Sequence, residues 1–295
     1  MITQLFDKFI NLRFYGVSDS YINPDMQILT PSTGMKPELA IQGTFVPGTG
    51  VPGLSIRVTN MASAFPIWEY ANHKLEVEVG YFSDKSLTAK FDGMILTAGE
   101  EKTGPDSITT FTLLLGNYQD YNNKFTKMNF LASNTVGDVL NKILSDLSNK
   151  YFKYAPFSDT VSNTLATPLK GNGFQYNGPI KGALDMLHHL YDLDIVLQGN
   201  SCRIIKHGYA FTNNIFDLQY ISTVTRRAES YTIKAPWIPK LLPDDIVRFS
   251  PSTAKQTIGG QFDKPTIMQK VVTVDFDFST TGHTNDMTLM TLNAG

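Results

Sequence analysis

The sequence predicts a mainly β protein with an α+β insert between two β regions. Three observations carry this. Segments 54–60 (LSIRVTN), 73–82, 89–96 and 107–116 alternate apolar and polar residues and end in Gly, Asn, Asp or Pro clusters. Period-two alternation puts successive side chains on opposite faces, as in an antiparallel sheet or barrel. After Gly116 the spacing becomes helical, and from Tyr209 strand character returns.

Residues 1–37 are irregular, with turn formers at Asn23-Pro24-Asp25 and Thr30-Pro31-Ser32-Thr33-Gly34. They read as an N-terminal arm or extended strand outside the core. The first β region spans 38–116. Its segment PGTGVPG (47–53) is a tight connection, and 62–73 is a crossover with a short helical turn starting at Pro66. The insert spans 117–208. Residues 133–150 carry apolar side chains at 136, 139, 140, 143, 144 and 147, a helical stripe with Ser133 to Thr135 as N-cap candidates. Residues 179–192 form a second stripe, with Pro179 at its start and apolar positions 180, 183, 184, 187, 190 and 191. Residues 194–207 read as a hairpin around Gly199-Asn200. The second β region spans 209–295, with strands at 230–236, 244–252, 266–279 and 285–293. A faint repeat links 103–116 and 281–295: each begins at Thr-Gly, alternates and ends in Gly.

Composition narrows function. The 295 residues are 42% hydrophobic but only 18% charged, with net charge −2. Such a chain has no basic field for gripping nucleic acid. Cys202 is the only cysteine, which excludes an internal disulfide or a cysteine-based metal site, and it reads as a small buried apolar residue. The first residues, MITQLFDKFINLRFYGV, lack the unbroken apolar core of a signal peptide, and no segment approaches the roughly 20 apolar residues needed to span a bilayer. The expectation is a protein made and assembled in a cytoplasm.

Candidate chemistry is sparse. His188 and His189 are adjacent on a helix, about 100° apart, and cannot chelate one metal together. His188 reads as a packing or capping histidine, and Asp192 and Asp194 as turn acceptors. Glu100 and Glu101 sit beside Lys102 in a polar hairpin, a poor setting for paired-carboxylate hydrolysis. No nucleophile elbow appears, and GTGVPG and GNGFQYNG lack the strand-then-helix context of a dinucleotide loop. Aromatic clusters at 118–121, 151–157 and 174–176 suit interfaces, sugar stacking or a core. No catalytic, cofactor-binding or metal-binding residue is assigned.

The order of several short motifs resembles baseplate hub proteins of contractile-tailed phages. These are Val79-Gly80-Tyr81, Phe91-Asp92-Gly93 and its long hairpin, the helix from Thr135, the helix-plus-hairpin unit at 180–205, and Pro239-Lys240-Leu241-Leu242-Pro243-Asp244-Asp245-Ile246-Val247. The last resembles a Leu-Pro-Gly-Asp pattern, with Asp244 where Gly is common. The resemblance implies two tail-tube-like antiparallel β-barrels flanking the insert, no enzymatic activity and no cofactor. It also implies a homotrimeric ring in the virion tail that joins the tail tube protein to the central spike protein, touches other baseplate proteins and surrounds the DNA channel. That role involves neither sequence-specific nucleic acid binding nor a membrane anchor. The alternatives are a wall-hydrolase or glycan-binding tail component, or the hub of a contractile secretion apparatus.

Overall fold

The computed structural model describes residues 7–16, 26–46, 53–61, 67–115, 123–147, 151–154, 158–198, 201–207, 211–218, 220–228, 230–250, 267–281 and 286–293. The alternating segments form strands. β1 (Lys8–Tyr15), β2 (Met26–Ile28), β3 (Leu39–Phe45) and β4 (Gly53–Thr59) precede a 3-10 turn at Ile67–Tyr70, one residue after Pro66. β5 (Lys74–Tyr81), β6 (Asp84–Thr103) and β7 (Asp106–Leu115) complete the first region. The insert holds β8 (Phe125–Phe130), α1 (Val136–Asp146), β9 (Tyr151–Tyr154), α2 (Ser158–Ala166), β10 (Phe174–Pro179), α3 (Ile180–Tyr191), β11 (Leu193–Gln198) and β12 (Ser201–Lys206). β13 (Phe211–Asp217), β14 (Thr223–Arg227), β15 (Ser230–Ala235), β16 (Asp245–Phe249), β17 (Ile267–Ser279) and β18 (Asp286–Asn293) follow.

The mainly β class with an α+β insert holds, but the closed barrels do not. Among the described residues both β regions belong to one 13-stranded sheet, running β14-β15-β18-β17-β3-β4-β7-β6-β5-β1-β2, with β16 joining β13 to β17. The link is an antiparallel ladder from Ala40↔Ser279 to Phe45↔Val274. Two forces favour this joining over separate closure. Open strand edges leave backbone groups unpaired, and the apolar faces of the two regions form one shared cluster. Phe45 sits in it, its ring 5.8 Å from Phe91 and 5.1 Å from Phe276.

The N-terminal segment is a second correction. Lys8–Tyr15 is no peripheral arm: β1 pairs with β5 along its whole length, and Ile10, Leu12 and Phe14 are buried. Its alternation, KFINLRFY, was masked in the sequence by the turn formers after it.

The insert has its own core. All six positions of the first stripe are buried, from Val136 to Leu147. At about 1.5–3 kcal/mol each as an upper estimate, they anchor α1 to α3 and β8. The helix starts at Thr135, whose hydroxyl accepts from the Asp138 amide at 3.2 Å while the Asp138 carboxylate accepts from the Thr135 amide at 2.8 Å. On α3, Leu190 is the one stripe position left exposed.

Candidate functional site

Three of the hub-like motifs, at 79–81, 91–93 and 239–247, contribute to the core shared by the two β regions, and the other two belong to the insert. Tyr81 ends β5 at an irregularity in the pairing with β6. Its hydroxyl donates to the Trp237 carbonyl oxygen at 2.8 Å, and burial pushes the phenol well above its ordinary pKa. The Trp237 ring stacks on Phe276 at 4.1 Å and lies parallel to Phe91 at 6.5 Å, and Tyr81 meets Phe278 edge-on at 5.6 Å. So Val79-Gly80-Tyr81 and Phe91-Asp92-Gly93 supply one wall of an aromatic cluster whose other wall comes from the C-terminal strands. Gly93 pairs with Leu75 on one side and Leu115 on the other, and a Cβ there would lie 2.1 Å from the Leu114 carbonyl oxygen.

The 239–247 segment turns into β16 through Asp244, at φ 69°. That is the left-handed region, which favours glycine and tolerates Asp and Asn. The backbone therefore accounts for an acid where the family pattern has Gly. The Asp244 amide donates to Val271 O at 2.8 Å, and Lys270 Nζ lies 3.5 Å from its Oδ1. Its Oδ2 has no hydrogen-bond partner among the described residues. Burial pushes the carboxyl up to about 6; Lys270 and Arg203 oppose this, and Asp194 adds to it. Next to it, Asp245 Oδ1 accepts from Arg203 Nη2 at 2.6 Å and Oδ2 from the Leu242 amide at 2.8 Å. Arg203 belongs to β12, so this buried ion pair bridges insert and sheet.

Asp194 is no turn acceptor. It is buried on β11, with His188 Nδ1 at 3.2 Å and His207 Nδ1 at 3.1 Å. His188 Nδ1 also lies 3.0 Å from Leu193 O, closing the end of α3. Its ring meets His189 at 5.1 Å and His207 at 6.0 Å. Asp192 is the exposed, left-handed cap of α3 at φ 53°. Glu100 and Glu101 lie on the exposed end of the β6–β7 hairpin, away from this cluster. Cys202 lies in β12, with its side chain outside the described residues, as are residues 118–121 and the side chains at 151–157.

Among the described residues no group of three or more His, Cys, Asp or Glu side chains is placed to hold a metal ion, and no helix is long and apolar enough to cross a membrane. The aromatic cluster links the two β regions to each other, and the Arg203–Asp245 pair links the insert to the sheet. Sequence reasoning missed that Tyr81 meets Trp237 and that Arg203 and Lys270 meet Asp245 and Asp244, because these contacts form only through long-range pairing. The adjacent acids Asp244-Asp245 before an apolar strand were the one available signal.

No family model matches the chain, and no curated protein matches it. Solved structures do. A tail protein from Neisseria meningitidis MC58 aligns with TM-score 0.60 at 9% identity, covering 98% of each chain. The 43 kDa tail protein of prophage MuSo2 from Shewanella oneidensis gives 0.59 at 8%, covering 97% of each. The Escherichia coli c3393 protein gives 0.57 at 9%, covering 89% of this chain and 76% of that one. It is described as a component of the type VI secretion system with structural similarity to the T4 bacteriophage tail proteins gp27 and gp5. The chain thus shares its fold with these tail proteins.

Proposed function

We propose that the chain is a structural hub protein of a phage tail: a homotrimeric ring that joins the tail tube to the central spike and surrounds the DNA channel. The observation that carries this reading is the end-to-end fold likeness to tail proteins, with both β regions and the insert included. Residues 38–116 and 209–295 then act as two tube-like units in one sheet, with β1 and β2 added to the first and the insert at 117–208 beside them. Two related units per chain let a three-fold ring meet a six-fold tube on one side and a three-fold spike on the other. The chain works by shape and symmetry, without catalysis and without a cofactor, in the tail of a virion assembled in the host cytoplasm.

Symmetry analysis of the assembled tail tip tests this. Three copies around an open channel are expected. Six copies would point to a tube protein, and a peripheral position would overturn the reading. Cell-wall degradation by the purified chain would instead favour a hydrolase module. The likeness to c3393 keeps a second reading open, a hub in a contractile secretion apparatus. Capsid genes beside the coding sequence would argue against it.

A further inference from the structure

The two β regions repeat one pairing scheme. The first runs β3-β4-β7-β6-β5-β1 and the second β14-β15-β18-β17-β16-β13; they differ in that β1 is antiparallel to β5 whereas β13 is parallel to β16. The repeat extends to an irregularity. The β6–β7 ladder slips between Ile95 and Thr97, and the β17–β18 ladder slips between Val271 and Thr273. Aligning the two slips makes β14 the counterpart of β3, and 98–103 the counterpart of the end of β17. Within the chain, β3 covers that end of β17 from Val274 to Ser279. The counterpart edges have no such cover. Among the described residues, β5 leaves the edge of β6 after Met94, and β14 pairs only with β15. Such edges present unpaired backbone groups to any strand that fits them.

The β3–β17 ladder supplies the register. Gln42 faces Asp277 and donates to its carboxylate at 2.7 Å. Gln42 lines up through Ser55 and Thr112 with Thr97, and Thr225 lines up through Thr232 and Met290 with Thr273. Thr225 is thus the counterpart of Gln42. Asp277 lies four residues past Thr273 and Glu101 four past Thr97, so Glu101 is the counterpart of Asp277. We propose that β14 of one copy adds to the open edge of β6 in a second copy, antiparallel and head to tail, with Thr225 opposite Glu101 and Arg226 opposite Glu100.

Charge agrees with a register that was set without it. Glu100, Glu101, Arg226 and Arg227 are all exposed. Unlike charges directly opposite each other on neighbouring strands attract, and Arg227 falls diagonal to Glu101 on the same face. Lys102 falls opposite Val224 rather than an arginine. In the single chain, among the described residues, Arg226 reaches its own hairpin alone: the Ala228 carbonyl oxygen at 3.3 Å and the Tyr231 ring at 5.9 Å. The two edges are different surfaces of each copy, so the contact is heterologous and closes into a ring when its rotation permits. Seams then alternate around the ring, β3–β17 inside each chain and β14–β6 between chains. That the ring holds three copies rests on the hub reading; the strand pairing does not.

Disulfide trapping in the assembled tail tip tests this. Directly opposed residues of an antiparallel pair have α-carbons about 5 Å apart, within reach of a disulfide. A chain carrying both Thr225→Cys and Glu101→Cys should therefore link to its neighbours on oxidation, as covalent multimers in non-reducing electrophoresis. Thr225→Cys with Thr97→Cys, about 13 Å out of register, should stay unlinked, as should each single variant. Arg226→Glu should lower the yield of assembled tips about tenfold, and adding Glu100→Arg to the same chain should restore it. Amide exchange of the unmutated chain needs no variant to fold: on assembly, 98–103 and Thr223–Arg227 should slow together by about tenfold or more. No link between 101 and 225, a preference for 97, a reversal that is not rescued, or unchanged exchange in either segment would each overturn the pairing. Three copies in the ring without these signals would keep the hub and reject the pairing. The signals in a ring of another size would keep the pairing and reject the hub.

Discussion

At the scale of single residues, Tyr81 shows how one polar atom ties distant parts of the chain. Its ring belongs to the first β region and its hydroxyl to a carbonyl of the second. Tyr81→Phe keeps the ring packing and strands the buried Trp237 oxygen. The expected loss is about 1–2 kcal/mol of stability, read by denaturant unfolding; a loss below about 0.3 kcal/mol would mean the bond is dispensable. The Tyr in Val79-Gly80-Tyr81 was visible in the sequence, but its partner was not, because no local pattern links residue 81 to residue 237. Asp244 is the opposite case. Its departure from Gly was visible, and the backbone at φ 69° explains why an acid is tolerated there. Its burial against Lys270 depends on β17, which the segment itself cannot reveal.

At the scale of elements, β6 does the most. Its first half pairs with β5 and its second half with β7, and Gly93 sits where the two ladders overlap. Gly93→Ala would push a methyl into the Leu114 backbone, which cannot swing aside as a side chain can. We expect about 1–3 kcal/mol of destabilisation. Gly99→Ala, with nothing within 4 Å of the added carbon, should leave stability within about 0.5 kcal/mol. Thermal unfolding of the two variants side by side checks the contrast; equal effects would reject the close-approach explanation. Elements with strong periodicity were legible: both helical stripes, the β11–β12 hairpin and most of the sheet. β9 and α2 were not, since SDTVSNTLA has a weak apolar stripe and gains its helical setting from Val161 and Leu165 packing into the insert core. β13 and β14 were missed as well, and β14 is almost wholly exposed, so alternation had little to report.

At the scale of the whole molecule, two cores sit side by side. Leu184 is buried in the insert core alone. Leu184→Ala should cost the insert about 2–5 kcal/mol, with exchange of its amides accelerated and the β3–β17 amides little affected. Equal acceleration in both would show a single cooperative unit. Nothing in the linear pattern signals that the two β regions share a sheet. β3 and β17 each alternate, but alternation names a face and not the neighbour across an edge; Phe45, Trp237 and Phe276 decide that by packing together. This edge also sets an order in time. β3 leaves the ribosome long before β17, and the ladder from Ala40 to Ser279 spans most of the chain. Loop closure on that scale must be completed before any contact rewards it. Until β17 emerges, β3 therefore carries a bare edge and a Phe45 packed only against its own region. Chains that stop before β17 would be adhesive as well as incomplete, and demand on holding chaperones should drop sharply once β17 is made.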